Sequence, residues 1–123
     1  MSGPETPVEA TLVRHLSNYG FKVLKLTTPG TAGVTDRMIL MPKWSPGPPV
    51  FVECKAPRKG LRSLQAAVYV DWQTRGTDMR PFVSTIHESK FLADALIAEA
   101  LKRCGWTRNQ LDIHMRESLD AVR

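Results

Sequence analysis

The sequence contains few of the residues that mark secreted, membrane or zinc-binding proteins. Cysteine occurs only at Cys54 and Cys104, too few for a disulfide framework and too far apart for a paired zinc motif. The three histidines show no metal-ligand spacing. No apolar run approaches a membrane span, and residues 1–7 lack the basic and apolar regions of a secretion signal. These absences predict a reduced, cytoplasmic setting without membrane attachment.

The composition fits one compact domain with a basic surface. At 123 residues and 42% hydrophobic content, the chain can bury a core but has no room for a second domain. Seventeen Lys and Arg against twelve Asp and Glu give a net charge of +5. This excess favours a polyanionic partner such as nucleic acid, but charge alone does not identify the partner.

Periodicity and turn residues predict alternating helices and strands. A capping-box pattern, Thr6-Pro7-Val8-Glu9, predicts a first helix from 7 to about 18, with Glu9 as a capping side chain. The proline-rich stretch 42–49 is short enough to join antiparallel strands. The remaining predicted elements are strands over 21–26, 37–41, 50–56 and 80–85, and helices over 63–75, 86–103 and from about 107 onward.

Two of the strands carry acidic residues where a catalytic site would need them. Glu53 and Lys55 lie two apart on the third strand and share a face, and Asp36 precedes the adjacent strand, where it can face Glu53. Two carboxylates can hold a divalent cation, and a lysine beside them can orient water or stabilise charge on a phosphate. Taken alone, an acid two residues from a lysine is more often a solvated surface pair.

The flanking residues have both functional and structural interpretations. Cys54 alternates with the apolar residues of its strand, which predicts core packing rather than a nucleophile. Gln65, in the first turn of the next helix, can point back at the strand end, and Tyr69 on the same face is expected to pack. The basic turn between the third strand and this helix has two interpretations, a phosphate clamp or a solvated face. Its residues are Arg58, Lys59 and Arg62.

A set of motifs occurs in one order along the chain. They are Glu9, Gly20, Lys25, Pro29-Gly30, Gly33 to Arg37, Phe51 to Pro57, Gly60-Leu61 and Gln65. In this order and spacing the chain resembles a stand-alone VRR-NUC domain, the virus-type replication and repair nuclease family of the PD-(D/E)xK superfamily. The resemblance covers roughly residues 7–96. Thr35 departs from it, because the family usually has proline there, and we expect a small loss of rigidity without loss of activity.

The resemblance implies a fold and a site. The fold is a restriction-endonuclease-like α/β core, about 7–96, with a mixed sheet flanked by helices, in a single domain of residues 1–123 with a helical extension at about 106–123. Asp36, Glu53 and the Cys54 carbonyl are then the metal ligands, Lys55 orients water or stabilises the transition state, and Glu9 and Gln65 complete the site. Oxygen ligands and phosphoryl chemistry favour Mg²⁺, with Mn²⁺ as a substitute. The expected DNA contacts are Lys25, Arg37, Arg58, Lys59 and Arg62.

The predicted function is metal-dependent cleavage of DNA, on branched or structured substrates, inside a phage or bacterial setting. Two alternatives are a module with a dormant site that binds branched DNA, and an assembly protein with a basic surface. A homodimer is expected, since two sites can face two strands. The last helix either forms the dimer interface, with Trp106 as an anchor, or folds back on its own sheet; its apolar stripe is Leu111, Met115, Leu119 and Val122.

Overall fold

The computed structural model of the protein describes residues 7–26, 36–54 and 63–122, and for residues 63–65 and 120–122 it describes the backbone alone. Its helices and strands follow the predicted order. They are α1 (Pro7–Ser17), β1 (Lys22–Lys25), β2 (Arg37–Leu40), β3 (Val50–Val52), α2 (Ser63–Thr74), β4 (Asp78–Met79), α3 (Ile86–Cys104) and α4 (Arg108–Val122). None of the helices in the described ranges is long and apolar enough to cross a membrane.

The four strands form one mixed sheet in the order β1-β2-β3-β4. β1 pairs antiparallel with β2, and β2 pairs antiparallel with β3, as the short proline-rich connection predicts. β3 pairs parallel with β4, and α2 supplies the crossover between them. The predicted α/β fold with a mixed central sheet is therefore confirmed.

The predicted bounds of the fourth strand were wrong. The prediction placed it over 80–85, whereas β4 covers Asp78–Met79 and pairing resumes only at a bridge between Val83 and Cys54. Phe51 pairs with Met79, so three residues, 80–82, stand opposite two residues of the partner strand. Pro81 is among the three, and it has no N–H to donate to a ladder. The strand is thus interrupted by a bulge where a continuous strand was expected.

Side-chain alternation divides the sheet into two differently covered faces. Ile39, Val50 and Val52 point to a face that is buried under α1 and α3. The Oγ of Ser89 on α3 donates to the carbonyl of Val8 on α1 at 2.8 Å, which ties these two helices together. On the other face, Phe51 meets Trp72 of α2 edge to face, with ring centroids 5.6 Å apart. The result is a sheet between helical layers.

The fourth helix docks on its own domain. Leu111 is fully buried in the main core, and Met115 packs against that core. Trp106, just before the helix, stacks on Trp44 with centroids 5.7 Å apart. Of the two predicted roles for this helix, packing on its own domain therefore applies to Leu111 and Met115. Trp106 also packs inside the domain, on Trp44. Leu119 stays 57% exposed.

Candidate active site

Asp36 lies at the point where β2 begins and is fixed from both sides. Its carbonyl accepts a hydrogen bond from the N–H of Leu26 at 2.9 Å, which extends the pairing of β1 with β2. Its Oδ1 accepts from the backbone N–H of Cys54 at 3.0 Å, across the pairing with β3. The carboxylate is therefore held against the end of the neighbouring strand, as predicted from its position before an apolar strand.

Glu53 follows β3 and stands opposite Asp36. Arg37 pairs with Val52, and the same register continued by one residue sets Asp36 against Glu53. Directly opposed residues of an antiparallel pair have Cβ atoms about 4.5–5.5 Å apart, and like charges there repel each other. Glu53 is only 8% exposed, and its carbonyl accepts from the N–H of Val83 at 3.0 Å. A cation between the two carboxylates would offset their repulsion.

A buried arginine joins Asp36 to the first helix. The side chain of Arg37 is 3% exposed; its Nη1 lies 3.0 Å from Oδ2 of Asp36, and its Nη2 pairs with Oε1 of Glu9. Nη1 also donates to the carbonyl of Asp36 at 3.0 Å. Burial opposes the charged form, but the hydrogen bond to Glu9 and the charges of Asp36 and Glu9 outweigh it, so the pKa of Arg37 lies above its ordinary value.

The contact with Arg37 places Glu9 at the site. Glu9 lies in the first turn of α1, and its side chain reaches the sheet, where it is 16% exposed. Periodicity favoured a capping role for Glu9, and the resemblance favoured a site role. The capping partner, Thr6, lies outside the described residues. The contact with Arg37 brings Glu9 next to the partner of Asp36, and its role in a site stays a prediction.

Cys54 contributes its backbone to the site and its side chain to the core. The side chain is half-buried and packs against the main hydrophobic cluster, as the strand alternation predicts. Burial, followed by the negative charge of Asp36, raises the pKa of the Cys54 thiol to about 12. A thiol held neutral in this way is not a thiolate nucleophile at neutral pH.

The structure describes the side chains of some of the other residues singled out from the sequence, and not of others. Lys25 is exposed at the end of β1, opposite Arg37. Arg37 is too deeply buried to contact DNA directly in this arrangement. Tyr69, which shares a helix with Gln65, donates its hydroxyl to the carbonyl of Met79 at 3.0 Å and so fastens α2 to β4. Five predicted residues have side chains outside the described part of the chain: Lys55, Arg58, Lys59, Arg62 and Gln65.

The donor chemistry fits a hard divalent cation. In the described ranges 7–26, 36–54 and 63–122, no group of three or more His, Cys, Asp or Glu side chains is arranged to hold a metal ion. The two opposed carboxylates of Asp36 and Glu53, together with a strand carbonyl, are the oxygen donors that Mg²⁺ prefers, and Mg²⁺ needs only one or two carboxylates because it keeps waters.

One cavity borders these residues through Val83, which bridges Cys54. It measures about 350 Å³ and is open to solvent between the segment after β4 and the first half of α3, where Phe82, Phe91 and Leu92 contribute to its walls. Its lining includes none of the predicted site residues.

The sequence interpretation missed the pairing of Arg37 with Glu9. A signal for it was present, because Arg37 alternates with Ile39 and so points to the same buried face. A guanidinium on a core-facing position requires carboxylate partners. Asp36 and Glu9 are the partners that the fold supplies.

Comparison with known proteins gives a sequence relative and, among the matching solved structures, a VRR_NUC domain. No protein-family model matches the chain. Over 53 residues the sequence is 40% identical to a protein named "Putative nuclease p44" from Acyrthosiphon pisum secondary endosymbiont phage 1; the match covers 43% of this chain and 54% of the phage protein. The chain thus spans about half the length of that curated relative.

The structural relative is a solved chain described as a VRR_NUC domain. It superposes with a TM-score of 0.61 at 22% sequence identity, covering 71% of this chain and 90% of the solved chain. The protein therefore has the fold of a VRR_NUC domain, which confirms the predicted likeness in fold and the α/β architecture with a mixed sheet.

Proposed function

We propose that this protein is a metal-dependent nuclease that hydrolyses phosphodiester bonds in DNA. The observation that carries the proposal is the opposition of Asp36 and Glu53 at the ends of two neighbouring strands, with Asp36 fixed by the Cys54 N–H. The VRR_NUC fold and the phage relative named as a nuclease support the same class of activity. The net charge of +5 fits a polyanionic substrate.

Asp36 and Glu53 would hold the divalent cation. The carbonyl of Cys54 is the third proposed ligand: an extended residue directs its N–H and C=O to the same strand edge, and the Cys54 N–H faces Asp36. When bound, Mg²⁺ or Mn²⁺ would polarise the phosphate and lower the pKa of a coordinated water. The thiol of Cys54 takes no part, because it is neutral and packed against the core.

Lys55, Gln65 and the basic turn have proposed roles around this centre. Lys55 would orient the attacking water or stabilise charge on the phosphate, and Gln65 would complete the site. Lys55→Ala should then slow cleavage while Mn²⁺ binding stays within about twofold of wild type. Loss of Mn²⁺ binding in this variant would instead make Lys55 necessary for assembling the metal site.

We further propose that the substrate is branched or structured DNA and that the protein acts as a homodimer in an intracellular phage or bacterial setting. The support is the resemblance to small nucleases of this family and the phage relative.

An interface on α4 would have to use exposed positions such as Ile113 and Leu119, since Leu111 and Trp106 pack inside the domain. Light scattering of wild type and Leu119→Glu tests the α4 interface. A variant that stays dimeric places the interface elsewhere. A wild-type protein that cleaves DNA as a monomer contradicts the proposed homodimer.

The activity test is incubation of the full chain with flap, nicked, linear and four-way DNA, with Mg²⁺, Mn²⁺ or EDTA. Cleavage with either metal and none with EDTA is expected, with branched substrates cut fastest. Binding of branched DNA without cleavage in any metal would favour the dormant binding module. Failure both to bind and to cut would favour the assembly protein.

A further inference from the structure

We infer that Arg37 is a positioning residue for the metal site, through which Glu9 acts on Asp36. This inference rests on the proposed function and deepens it. Arg37 was expected from sequence to contact DNA, but the contacts of its guanidinium indicate a different role.

The guanidinium of Arg37 joins two carboxylates from separate elements. One nitrogen, Nη1, meets Oδ2 and the carbonyl of Asp36, both at 3.0 Å, while Nη2 pairs with Glu9 on α1. The planar fork of arginine can bind two carboxylates at fixed angles, whereas a lysine ammonium presents a single point of charge. The first turn of α1 and the start of β2 are therefore held in one arrangement by a single side chain.

This arrangement determines how Asp36 faces Glu53. Oδ1 of Asp36 accepts from Cys54 and Oδ2 pairs with Arg37, so rotation of the carboxylate would break at least one of these interactions. A carboxylate oxygen has more than one acceptor site, so these two contacts do not by themselves exclude a cation. Partners outside the ligand set that fix a ligand's orientation typically change metal affinity or activity by about 10–100-fold when removed.

Burial separates this role from a DNA contact. The Arg37 side chain is 3% exposed, so a phosphate cannot reach it without opening the pairing with Glu9 and Asp36. A phosphate-binding arginine would instead be accessible, and its removal would flatten the salt dependence of DNA binding. The two roles therefore give different results in a binding experiment without metal.

The test uses Arg37→Lys, which keeps the charge and removes the fork. Mn²⁺ alone is titrated into metal-free protein and free Mn²⁺ is followed by electron paramagnetic resonance. We expect Mn²⁺ affinity to fall by about tenfold, kcat for DNA cleavage to fall, and DNA affinity and its salt slope in EDTA to stay unchanged. The matched control is Arg80→Lys, because Arg80 also pairs with two acids, Asp78 and Glu99, but lies outside the site.

Glu9→Gln is the second variant and keeps Arg37 in place should Arg37→Lys fold poorly. Alone it should also weaken Mn²⁺ binding. In the Arg37→Lys background it should have little further effect, because Glu9 acts through Arg37; fully additive losses of affinity would overturn that part of the inference.

Two results would overturn the role of Arg37 itself. One is wild-type Mn²⁺ affinity in both single variants. The other is weaker DNA binding with a flatter salt slope in Arg37→Lys, which would return Arg37 to the phosphate-contacting residues. A wild-type protein that neither binds Mn²⁺ nor cleaves DNA would instead remove the proposed function, so the two failures are distinguishable.

Discussion

The backbone N–H of Cys54 donates to Oδ1 of Asp36 at 3.0 Å, joining residues 18 apart in the chain. This bond fixes a carboxylate just before β2 against the residue that follows Glu53. Because Asp36 is also paired with Arg37, its carboxylate is held both from the backbone of Cys54 and from the side chain of Arg37. In the proposed metal site this fixed orientation would reduce reorganisation during the reaction, which is the condition for efficient electrostatic catalysis.

Substitution of the opposed carboxylates should abolish metal-dependent cleavage. We expect Asp36→Ala and Glu53→Ala each to lower the cleavage rate by roughly 100-fold or more, since the metal and its activated water are removed together. DNA binding in EDTA should change little, because phosphate contacts come mainly from other residues. Asp78→Ala is the matched control, as Asp78 is a strand acid that pairs with Arg80 away from the site. Cleavage near the wild-type rate in either site variant would contradict the assignment.

Neutralising the basic turn should weaken DNA binding for all sequences alike. Replacing Arg58, Lys59 and Arg62 by alanine should reduce the salt slope by about 0.9 for each phosphate that these side chains neutralise, measured as log Kd against log salt concentration. Lys102→Ala, exposed on α3, is the control for a general reduction of positive charge. Salt slopes equal to wild type would make the turn an ordinary solvated face.

The fold followed from local signals where these were strong. Apolar alternation and the proline-rich connection predicted β2 and β3 as antiparallel neighbours, and the helix predicted over 86–103 matches α3 closely. Thr85 caps this helix by accepting from the N–H of Glu88 at 3.0 Å. The fourth strand was misplaced because its bounds depend on a bulge at Pro81, and a bulge is set by pairing with a partner strand that the local sequence does not reveal.

The site was predictable to the extent that strand alternation controls it. Opposition of Asp36 and Glu53 follows from two strands paired in one register. The role of Arg37 does not, because its partner Glu9 lies on a helix far away in sequence, and only the packing of α1 on the sheet brings them together. The resemblance suggested a DNA contact for Arg37, whereas its burial and its pairing with Glu9 support the proposed internal role.

Truncation of Leu111 should destabilise the whole domain. Leu111 is fully buried in the main core, so we expect Leu111→Ala to lower the free energy of unfolding by about 2–5 kcal/mol. Leu119→Ala, on the same helix at 57% exposure, should change it by less than about 0.5 kcal/mol. Urea unfolding of both variants measures the difference. Equal, small effects would mean that α4 is not part of the core.

The buried thiol should make stability depend on pH in the alkaline range. The pKa of Cys54 is raised to about 12 in the folded protein, whereas the thiol of the unfolded chain titrates near its ordinary 9.0. Between these values the unfolded state loses its proton and the folded state keeps it, so the Cys54 contribution to stability is complete below about pH 9. It is lost as pH rises toward about 12, by at most about 1.4 kcal/mol per pH unit.

Cys54→Ala should therefore reduce the alkaline loss of stability. Lysines and tyrosines titrate in the same range, so the informative quantity is the difference in unfolding free energy between wild type and variant, measured from pH 7 to pH 11. We expect this difference to be constant up to about pH 8.5 and then to move in favour of the variant, since the unfolded-state thiol ionises there. Cys104→Ala controls for removal of a thiol elsewhere. A difference that stays flat to pH 11 would show that Cys54 ionises as easily in the folded protein as in the unfolded chain.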